Sequence, residues 1–541
     1  MMALIVVGCG SVDEGNSQES SSTSHVTDNT SGSVSSGCSA ATYVVANGSL
    51  TISGQVTYDR IGVAANDVGL DHENISKMPA RQVVVKAIGP CGEVVTSTTT
   101  NEEGEYLLTQ LPSNQEVKIR VYAQMQKSGT GGWNLQVQDN TNDDSIYVME
   151  GSLISTGTRN SRRSLHAPLG WNSALGAYTS TRMAAPFAIL DSLYDAMKKV
   201  ITADPTASFP RLLVNWSVNN IAAGNGSEVG LADGQIITSH FDGDEKLYIL
   251  GDANSDTDEF DDHIIIHEWA HYFEANFSRA DSIGGAHGEG DRLDIRVAFG
   301  EGWGNAYSAI ATDNPIYYDT LGQAQSQGWS MNIESARKVV PGWFSEASVQ
   351  RIIYDLYDAH DDGQDHLSLG FAPIYHVLTG PQKITPAFTS LFSFITALKN
   401  EGADAAAIDD ILGSEDIGSI DTIYGNDFYP LYADMSPNES FDICTSTKYG
   451  YGNKLDNHKY IRFRIDESGL YTVRVRQNNG NTSDPDYMLF KTTPFTQAGI
   501  SDDTDAGKAE EELMLSAGDY LLDLSDYKNL QKACFTVTVN K

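Results

Sequence analysis

The residues with the clearest chemical potential stand in the run His267-Glu268-Trp269-Ala270-His271. Side chains four positions apart on a helix lie on the same face, one turn above the other, so His267 and His271 are expected to point the same way. Two neutral imidazoles at this spacing can hold one Zn²⁺ and leave room for water. Glu268 is beside the first histidine, where a carboxylate can take a proton from that water. The spacing therefore predicts a catalytic zinc site with Glu268 as its general base.

The surroundings of this motif also permit a second interpretation. Apolar residues on both sides, from Ile264 to Phe273, are typical of a buried helix, and two histidines there can simply be a hydrogen-bonded pair within a core. However, the motif is rare by chance in a chain with only 12 histidines, and it falls on a helical apolar run, where zinc chemistry needs it. The metal site is therefore the preferred interpretation.

A catalytic zinc site of this kind needs a third protein ligand. An extended histidine motif is excluded, because Glu274 and Phe277 occupy the positions of its glycine and its third histidine. The next candidate is Glu301, in the run Gly300-Glu301-Gly302, on an apolar-periodic segment that Asn314-Pro315 ends. The flanking glycines are expected to let two helices approach. A carboxylate on a helix that otherwise faces the core is costly to bury unless it is paired or bound to a metal.

Four other residues in or near the intervening loop are rivals for this role: His287, Glu289, Asp291 and Asp294. The loop contains the glycine-rich stretch Gly284–Gly290, which is placed to line a cleft. His287 has no partner at helical spacing to support it as a ligand. Glu301 is preferred, because two histidines and a glutamate form one type of catalytic zinc site.

From about Asp256 to Ile310, the chain resembles the gluzincin metallopeptidases, and fungalysin-type enzymes are the most similar in character. Acidic residues, an isoleucine run, His-Glu-x-x-His, a glycine-rich loop and Gly-Glu-Gly-Trp carry this resemblance. It implies an α+β zincin-like domain, Zn²⁺ held by the two histidines and Glu301, and Glu268 as the base. Where the family commonly has an aspartate that accepts a hydrogen bond from a ligand histidine, this chain has Asn305, whose amide accepts less strongly.

Length and charge set further bounds on the function. A chain of 541 residues is too long for one core and suggests about three domains. The formal net charge of −37 at pH 7 argues against nucleic-acid binding, because phosphate contacts need lysine and arginine. No internal apolar run is long enough to cross a membrane. The expected partner is a protein or peptide substrate, and no nucleic acid.

The first nine residues are apolar and end in Val6-Val7-Gly8-Cys9, which resembles the lipobox of bacterial lipoproteins. The resemblance implies that 1–9 is a signal segment and that Cys9 is lipidated, although the usual basic region is missing. Residues 10–40 are predicted to be a flexible linker, because they are rich in Ser, Thr, Gly and Asn. The expected location is the bacterial outer membrane or cell surface, through a lipid anchor only, or the secreted fraction.

The other four cysteines suggest two disulfides in an exported chain; they are Cys38, Cys91, Cys444 and Cys534. Three connectivities are possible for four cysteines. The pairing Cys38–Cys91 and Cys444–Cys534 is the simplest, because the two pairs flank different predicted domains. Free buried thiols are the alternative.

Strand-like alternation lies on both sides of the histidine motif. Residues 41–154 resemble a carboxypeptidase-regulatory-like or adhesin B-type β-sandwich through Thr100–Tyr106. Residues 436–541 resemble a pre-peptidase C-terminal domain through Ala517-Gly518-Asp519-Tyr520. The expected metallopeptidase domain is 160–435. The predicted fold is therefore multidomain, with an N-terminal β-sandwich, a central α+β zincin-like metallopeptidase domain and a C-terminal β-sandwich.

Two polar stretches carry further signals. Asp252–Asp258 alternates oxygen donors, a composition suited to Ca²⁺, although it lacks the glycine and the terminal glutamate of an EF-hand. Ser155–Pro168 carries several arginines and is predicted to be a solvated linker rather than a processing site.

The leading hypothesis is a zinc-dependent endopeptidase that hydrolyses peptide bonds of extracellular proteins through metal-activated water. The alternative is a surface adhesin-like lipoprotein with a structural or vestigial metal site, which the β-modules and the linker suit. Glu268 argues against this alternative, because a structural site has no use for a base beside the metal. An aminopeptidase is less favoured, since the sequence shows no motif for gripping a free amine.

Overall fold

The computed structural model of the chain describes residues 6–8, 44–65, 68–223, 233–335, 340–360, 365–480, 482–502, 507–528 and 532–541. Two compact units are present. One contains residues 6–8, 267–317 and the described residues from 331 to 541, and the other contains the described residues from 44 to 266 together with 318–330. This division does not follow the predicted domain boundaries, which stay predictions.

Helices form a minor part of the described chain. The α-helices are α1 (Ala185–Ala203), α2 (Asp262–Phe277), α3 (Ile295–Thr312), α4 (Glu346–Tyr357), α5 (Phe371–Val377), α6 (Leu391–Asn400) and α7 (Ala405–Ser414). A 3₁₀ turn covers Gln323–Gln325 and a π-helical turn covers Leu378–Gln382. Among the described helices, none combines the length and the apolar character that a membrane span requires.

Strands make up most of the regular structure. Those before α1 are β1 (Val6–Gly8), β2 (Leu50–Arg60), β3 (Ser76–Pro79), β4 (Val83–Ile88), β5 (Val94–Thr99), β6 (Glu105–Leu111), β7 (Glu116–Lys127), β8 (Trp133–Asp139), β9 (Ser145–Ile146), β10 (Val148–Glu150), β11 (Ile154–Ser155), β12 (Ser161–Arg162), β13 (Leu165–Ala167), β14 (Trp171–Asn172) and β15 (Ala177–Tyr178). Those from α1 to α4 are β16 (Leu212–Trp216), β17 (His240–Phe241), β18 (Lys246–Ile249), β19 (Gly251–Asp252), β20 (Asp256–Thr257), β21 (Gly285–His287), β22 (Ile316–Leu321) and β23 (Gln327–Asn332). Those after α7 are β24 (Tyr432–Asp434), β25 (Ser440–Thr445), β26 (Lys459–Ile465), β27 (Gly469–Gln477), β28 (Pro485–Thr492), β29 (Phe495–Ser501), β30 (Lys508–Leu515), β31 (Gly518–Asp526) and β32 (Ala533–Asn540).

A mixed sheet of 10 strands has the main order β17-β18-β16-β8-β7-β4-β5. The strand β16 pairs in parallel with both β8 and β18, whereas β4, β5 and β7 form antiparallel pairs. All five side chains of β16 are buried, as expected for a central strand that is covered on both faces. This one sheet therefore contains strands from both sides of the boundary that the sequence predicted between 154 and 160.

The stretch 155–168 is not the solvated linker that its composition predicted. Its strands β12 and β13 pair in parallel with β2. The guanidinium of Arg163 donates to the carbonyl oxygens of Val117 at 2.9 Å and Ser155 at 3.0 Å. These hydrogen bonds to backbone carbonyl oxygens give Arg163 a structural role within the sheet.

The C-terminal strands form two sheets, with the orders β24-β26-β31-β28-β29 and β25-β32-β27-β30. Alternating apolar residues of both sheets share one buried core, which is the arrangement of a β-sandwich. The predicted disulfide Cys444–Cys534 is confirmed, and it joins directly opposed residues of β25 and β32. Cys91 is also disulfide-bonded, and its predicted partner Cys38 lies outside the described residues.

The described chain consists mostly of sheets, several of them sandwich-like, with few helices, which agrees with the β-sandwich part of the predicted fold; the central α+β zincin-like domain stays a prediction. The helix α3 is fixed at its start to the C-terminal sandwich. Asp294 caps α3 by accepting from the backbone N–H of Arg296, whose buried guanidinium pairs with Asp294 at 2.9 Å and with Asp523 of β31 at 2.7 Å. Breaking a buried pair of this kind costs about 3–5 kcal/mol, so the start of α3 is held firmly.

Candidate metal centre

The helix α2 carries the three residues of the motif, all of them buried. The exposed fraction is 2% for His267, 2% for Glu268 and 5% for His271. The Nε2 atoms of the two histidines lie 3.1 Å apart. Helical spacing therefore places both imidazoles on one face, as the sequence predicted.

Asn305 of α3 fixes the orientation of His267. Its side-chain oxygen lies 2.8 Å from His267 Nδ1, while its amide nitrogen donates to Gln350 of α4 at 2.9 Å. The bond to Gln350 indicates which way the amide faces. Since an amide oxygen can only accept, Nδ1 of His267 carries the proton, and Nε2 offers its lone pair to the site.

Glu301 of α3 faces this histidine pair and is completely buried. Its Oε2 atom lies 3.3 Å from His267 Nε2 and 3.5 Å from His271 Nε2. The ligand-type atoms of these three residues all lie within 4.8 Å of one another. The structure thus brings together the three side chains that the sequence nominated as metal ligands, and we call them the metal centre.

The close approach of α3 to the histidines depends on Gly304. A Cβ atom at that position would lie 2.8 Å from Cε1 of His267. A Cβ atom at Gly302 would lie 2.5 Å from Cβ of Val349 in α4, whereas Gly300 has nothing closer than 3.5 Å. The glycines that permit close packing are therefore Gly302 and Gly304, and not the expected pair Gly300 and Gly302.

The charges in the centre favour a carboxylate anion beside the imidazoles. Burial opposes the ionisation of Glu301, but the neighbouring imidazoles of His287 and His271 hold its pKa well below its usual range. Burial also lowers the pKa of His287, while the carboxylates of Glu301 and Glu346 raise it, and the net result is a pKa well above the usual value. An ionised glutamate is the form that a metal ion binds.

The donor set fits a zinc ion. In proteins, zinc is usually bound by imidazole nitrogens, carboxylate oxygens and cysteine sulfurs. Among the described residues, Oε1 of Glu301 is buried without a hydrogen-bond partner. A cation bound by this carboxylate would give the oxygen a partner, and the lone pair of His267 Nε2, which lies 3.1 Å from Nε2 of His271, faces the same site.

Two of the four rival ligands, Asp294 and Asp291, are engaged elsewhere, and Glu289 does not belong to the converging group of described ligand-type atoms. Asp294 caps α3, Asp291 lies 3.4 Å from Lys454 Nζ, and Glu289 is half-buried, with its pKa raised by burial and by the carboxylate of Glu346. His287 does reach the centre, with Nε2 at 3.3 Å from Glu301 Oε2. The sequence analysis considered His287 only as a rival metal ligand and did not predict its contact with Glu301.

Glu346, in the first turn of α4, was not anticipated at all. Its Oε2 atom lies 2.6 Å from Nδ1 of His287, and both side chains are buried. Nothing in the local pattern around Glu346 distinguishes it from an ordinary helix-start glutamate. The sequence therefore held no signal for this partner.

A separate group of carboxylates lies in the other unit. Asp256, Asp258 and Asp319, here called the acidic cluster, offer oxygen atoms within 4.8 Å of one another. Burial and mutual repulsion raise the pKa of Asp256 to about 8, and burial raises that of Asp319 to about 6. Oδ1 of each of these two side chains is buried without a hydrogen-bond partner among the described residues. The predicted calcium loop thus contributes two members, and a third comes from β22.

Comparison with known proteins gives little guidance on function. No family model matches the chain, and no curated protein matches it. About 20% of the chain is similar to 93% of the pre-peptidase C-terminal domain of a collagenase from Bacillus anthracis, at 13% identity and a TM-score of 0.17. A similar share matches 98% of CorA, a surface-associated copper-binding protein of Methylomicrobium album BG8, at 10% identity and a TM-score of 0.15. These likenesses carry no functional information at such scores.

Proposed function

We propose that this chain is a zinc-dependent endopeptidase of the gluzincin type, which hydrolyses peptide bonds of extracellular proteins. The proposal rests on one observation. The buried side chains of His267, His271 and Glu301 lie together, and the buried Glu268 follows His267 directly in the chain. These three residues hold the metal in the proposed enzyme. When bound there, Zn²⁺ supplies a Lewis acid and lowers the pKa of a bound water to about 7.

The residues of the chain have distinct roles in this proposal. Asn305 holds His267 in the tautomer that presents Nε2 to the metal. Glu268 takes a proton from the attacking water and then delivers it to the leaving amine nitrogen. Three protein ligands leave a position open for water or substrate, which is the pattern of catalytic rather than structural zinc sites.

The proposed setting is an exported protein. A zincin-like domain within 160–435, with β-modules on both sides, is part of this proposal, and the helices α2 and α3 that carry the centre support it. The disulfide Cys444–Cys534 supports an oxidising compartment. The proposal of a lipid anchor at Cys9, followed by the linker 10–40, rests on sequence alone, because both lie outside the described residues.

The test of this function uses the full chain. We expect about one zinc ion per chain by elemental analysis. Hydrolysis of a peptide library with blocked N-termini should be lost on chelation and restored by zinc, and the blocked termini separate endopeptidase from aminopeptidase action. A protein that takes up no zinc contradicts the proposal. A protein that binds zinc but cleaves nothing favours the adhesin-like alternative.

For the acidic cluster we propose Ca²⁺ as the ligand. Ca²⁺ takes six to eight oxygen ligands, and carboxylates are its usual partners in proteins. Asp258 is 3% exposed and pairs one oxygen with Ser239, while Asp261, which is 1% exposed, accepts from the backbone N–H of Thr320 at 2.8 Å. Buried carboxylates in proteins are usually paired or bound to a metal ion, and a cation would give the free oxygen atoms of Asp256 and Asp319 a partner.

The acidic cluster predicts an unusual dependence of stability on pH in the metal-free protein. The pKa values of Asp256 and Asp319 are raised on folding, so the folded state holds protons that the unfolded chain has released. Stability from these groups is present below about pH 4 and is lost as pH rises towards about 8. We expect the thermal midpoint to fall across this window without Ca²⁺, and Ca²⁺ at 100 times its Kd to add about 2.7 kcal/mol at pH 8.

Asp319→Asn should remove most of the response to Ca²⁺, because it takes away one carboxylate of the acidic cluster. Asp144→Asn is the matched control, since it removes an equal charge at an exposed position of the same unit. Calorimetric scans of the three proteins with and without Ca²⁺ measure the effect. An equal response to Ca²⁺ in wild type and Asp319→Asn rules out this site.

A further inference from the structure

His287 lies between two buried carboxylates at the edge of the metal centre. Its Nδ1 atom is 2.6 Å from Oε2 of Glu346, and its Nε2 atom is 3.3 Å from Oε2 of Glu301. The contact with Glu301 is an ion-pair distance without hydrogen-bond alignment. With 6% of its surface exposed, His287 has little contact with water. One imidazole therefore connects the start of α4 to the carboxylate that α3 brings to the centre.

Two residues that follow β25, Asn453 and Lys454, donate hydrogen bonds to the loop that carries His287. The amide of Asn453 donates to the carbonyl oxygens of Gly284 at 2.7 Å and Gly285 at 2.9 Å. Lys454 Nζ donates to the carbonyl oxygen of Ala286 at 2.5 Å. Gly285 has φ +95°, and a Cβ atom there would lie 3.1 Å from the Asn453 amide nitrogen. These contacts hold the loop in place and thereby fix the position of His287.

We propose that His287 is a positioning residue of the metal centre, which orients the Glu301 carboxylate for metal binding and is itself held by Glu346. This inference rests on the proposed function. Three imidazole nitrogens approach the same oxygen of Glu301, at 3.3, 3.5 and 3.3 Å. Because His287 contacts Oε2, it determines that this oxygen of the Glu301 carboxylate, and not Oε1, faces His267 and His271.

A role as a fourth ligand is less consistent with the geometry. At this centre, the group of described ligand-type atoms that lie within 4.8 Å of one another consists of His267, His271 and Glu301, and His287 is not in that group. A fourth protein ligand also closes the position that a catalytic zinc site keeps open. Partners that orient a ligand typically change metal affinity by 10- to 100-fold when they are removed.

Two substitutions at His287 separate positioning from a merely structural role. The amide nitrogen of glutamine can take the place of Nε2, so His287→Gln keeps a donor towards Glu301 and loses the contact with Glu346. The amide nitrogen of asparagine can take the place of Nδ1, so His287→Asn keeps the contact with Glu346 and loses that with Glu301. The matched control is His376→Gln, because the His376 side chain is 65% exposed and lies beside Glu401.

The measurements are zinc affinity by competition with a chromophoric chelator, the absorption spectrum of the cobalt-substituted protein, and the thermal midpoint of the metal-free protein. We expect His287→Asn to weaken zinc binding by about 10- to 100-fold, and His287→Gln to weaken it by less than about fivefold. The control variant should bind zinc as the wild type does. The cobalt spectrum should keep its intensity in His287→Gln, since no ligand is lost.

Several results would overturn the inference. Wild-type affinity in His287→Asn removes the role of the Glu301 contact. A greater loss in His287→Gln than in His287→Asn, parallel to a lower thermal midpoint, shows that the bond to Glu346 only supports the loop. A cobalt spectrum altered alike in both variants assigns His287 as a ligand. A wild type without zinc overturns this inference together with the proposed function, whereas an active zinc-bound wild type with an unaffected His287→Asn overturns this inference alone.

Discussion

Glu268→Gln is expected to bind zinc as the wild type does and to lower turnover by about 10²-fold or more. Glutamine has nearly the same shape as glutamate, so the buried packing around position 268 is retained. It cannot accept a proton, and the proposed chemistry needs one to move from water to the leaving nitrogen. Zinc content and kcat on a peptide identified from the library measure the two effects separately.

Glu274→Gln is the matched control for this prediction. Glu274 lies on the same helix and is equally buried, with 3% of its surface exposed. Burial, together with the carboxylates of Asp281 and Glu301, raises its pKa well above the usual value and so favours its neutral form. Replacing it with a neutral isostere should leave turnover within a few-fold. Turnover that survives in Glu268→Gln, or falls equally in both variants, shows that Glu268 is not the base.

The part of the centre that could be predicted from the sequence depends on helical periodicity. The spacing of His267 and His271 places both on one face of any helix that contains them. Glu301 was identified at long range because a carboxylate on an apolar-periodic helix needs a partner. The prediction for the glycines was partly wrong. Glycines near Glu301 indicate that helices come close, but only the packing shows that Gly304 faces His267 and that Gly302 faces α4.

Residues outside regular elements could not be predicted in this way. His287 lies in a glycine-rich loop without periodicity, and its partner Glu346 is 59 positions further along the chain. Asp319 joins Asp256 and Asp258 from a strand beyond α3. Contacts of this kind depend on the path of the chain, which local patterns do not encode.

Strand prediction shows the same limit at short range. The apolar alternation over Lys459–Ile465 is long enough to be recognised, and β26 has those bounds. The strands Ser161–Arg162 and Leu165–Ala167 have two and three residues, too few to show alternation, and Arg159, Arg162 and Arg163 in this stretch indicated a solvated linker. Arg163 instead donates hydrogen bonds to backbone carbonyl oxygens of the sheet.

Glu301→Ala is expected to weaken zinc binding by at least about tenfold, whereas Glu289→Ala should leave it unchanged. Glu301 is completely buried, and its Oε2 atom faces both histidines of α2. Its removal takes a negative charge and a ligand from the centre at once. Glu289 lies in the intervening loop as a partly buried carboxylate, so it controls for the loss of one negative charge near the site. Chelator competition on the full chain measures both affinities.

The comparison with Glu301→Gln separates ligand loss from a cavity. Alanine leaves a void between α2 and α3, and a void in a core lowers the free energy of unfolding. Glutamine fills that void but lacks the anionic oxygen that zinc prefers. Weak zinc binding in both variants, with the thermal midpoint of the metal-free protein lowered mainly in Glu301→Ala, identifies a ligand. If Glu301→Gln binds zinc like the wild type and only the alanine variant fails, Glu301 supports the packing of the two helices, and the third ligand of the gluzincin-type site must be sought elsewhere in the chain.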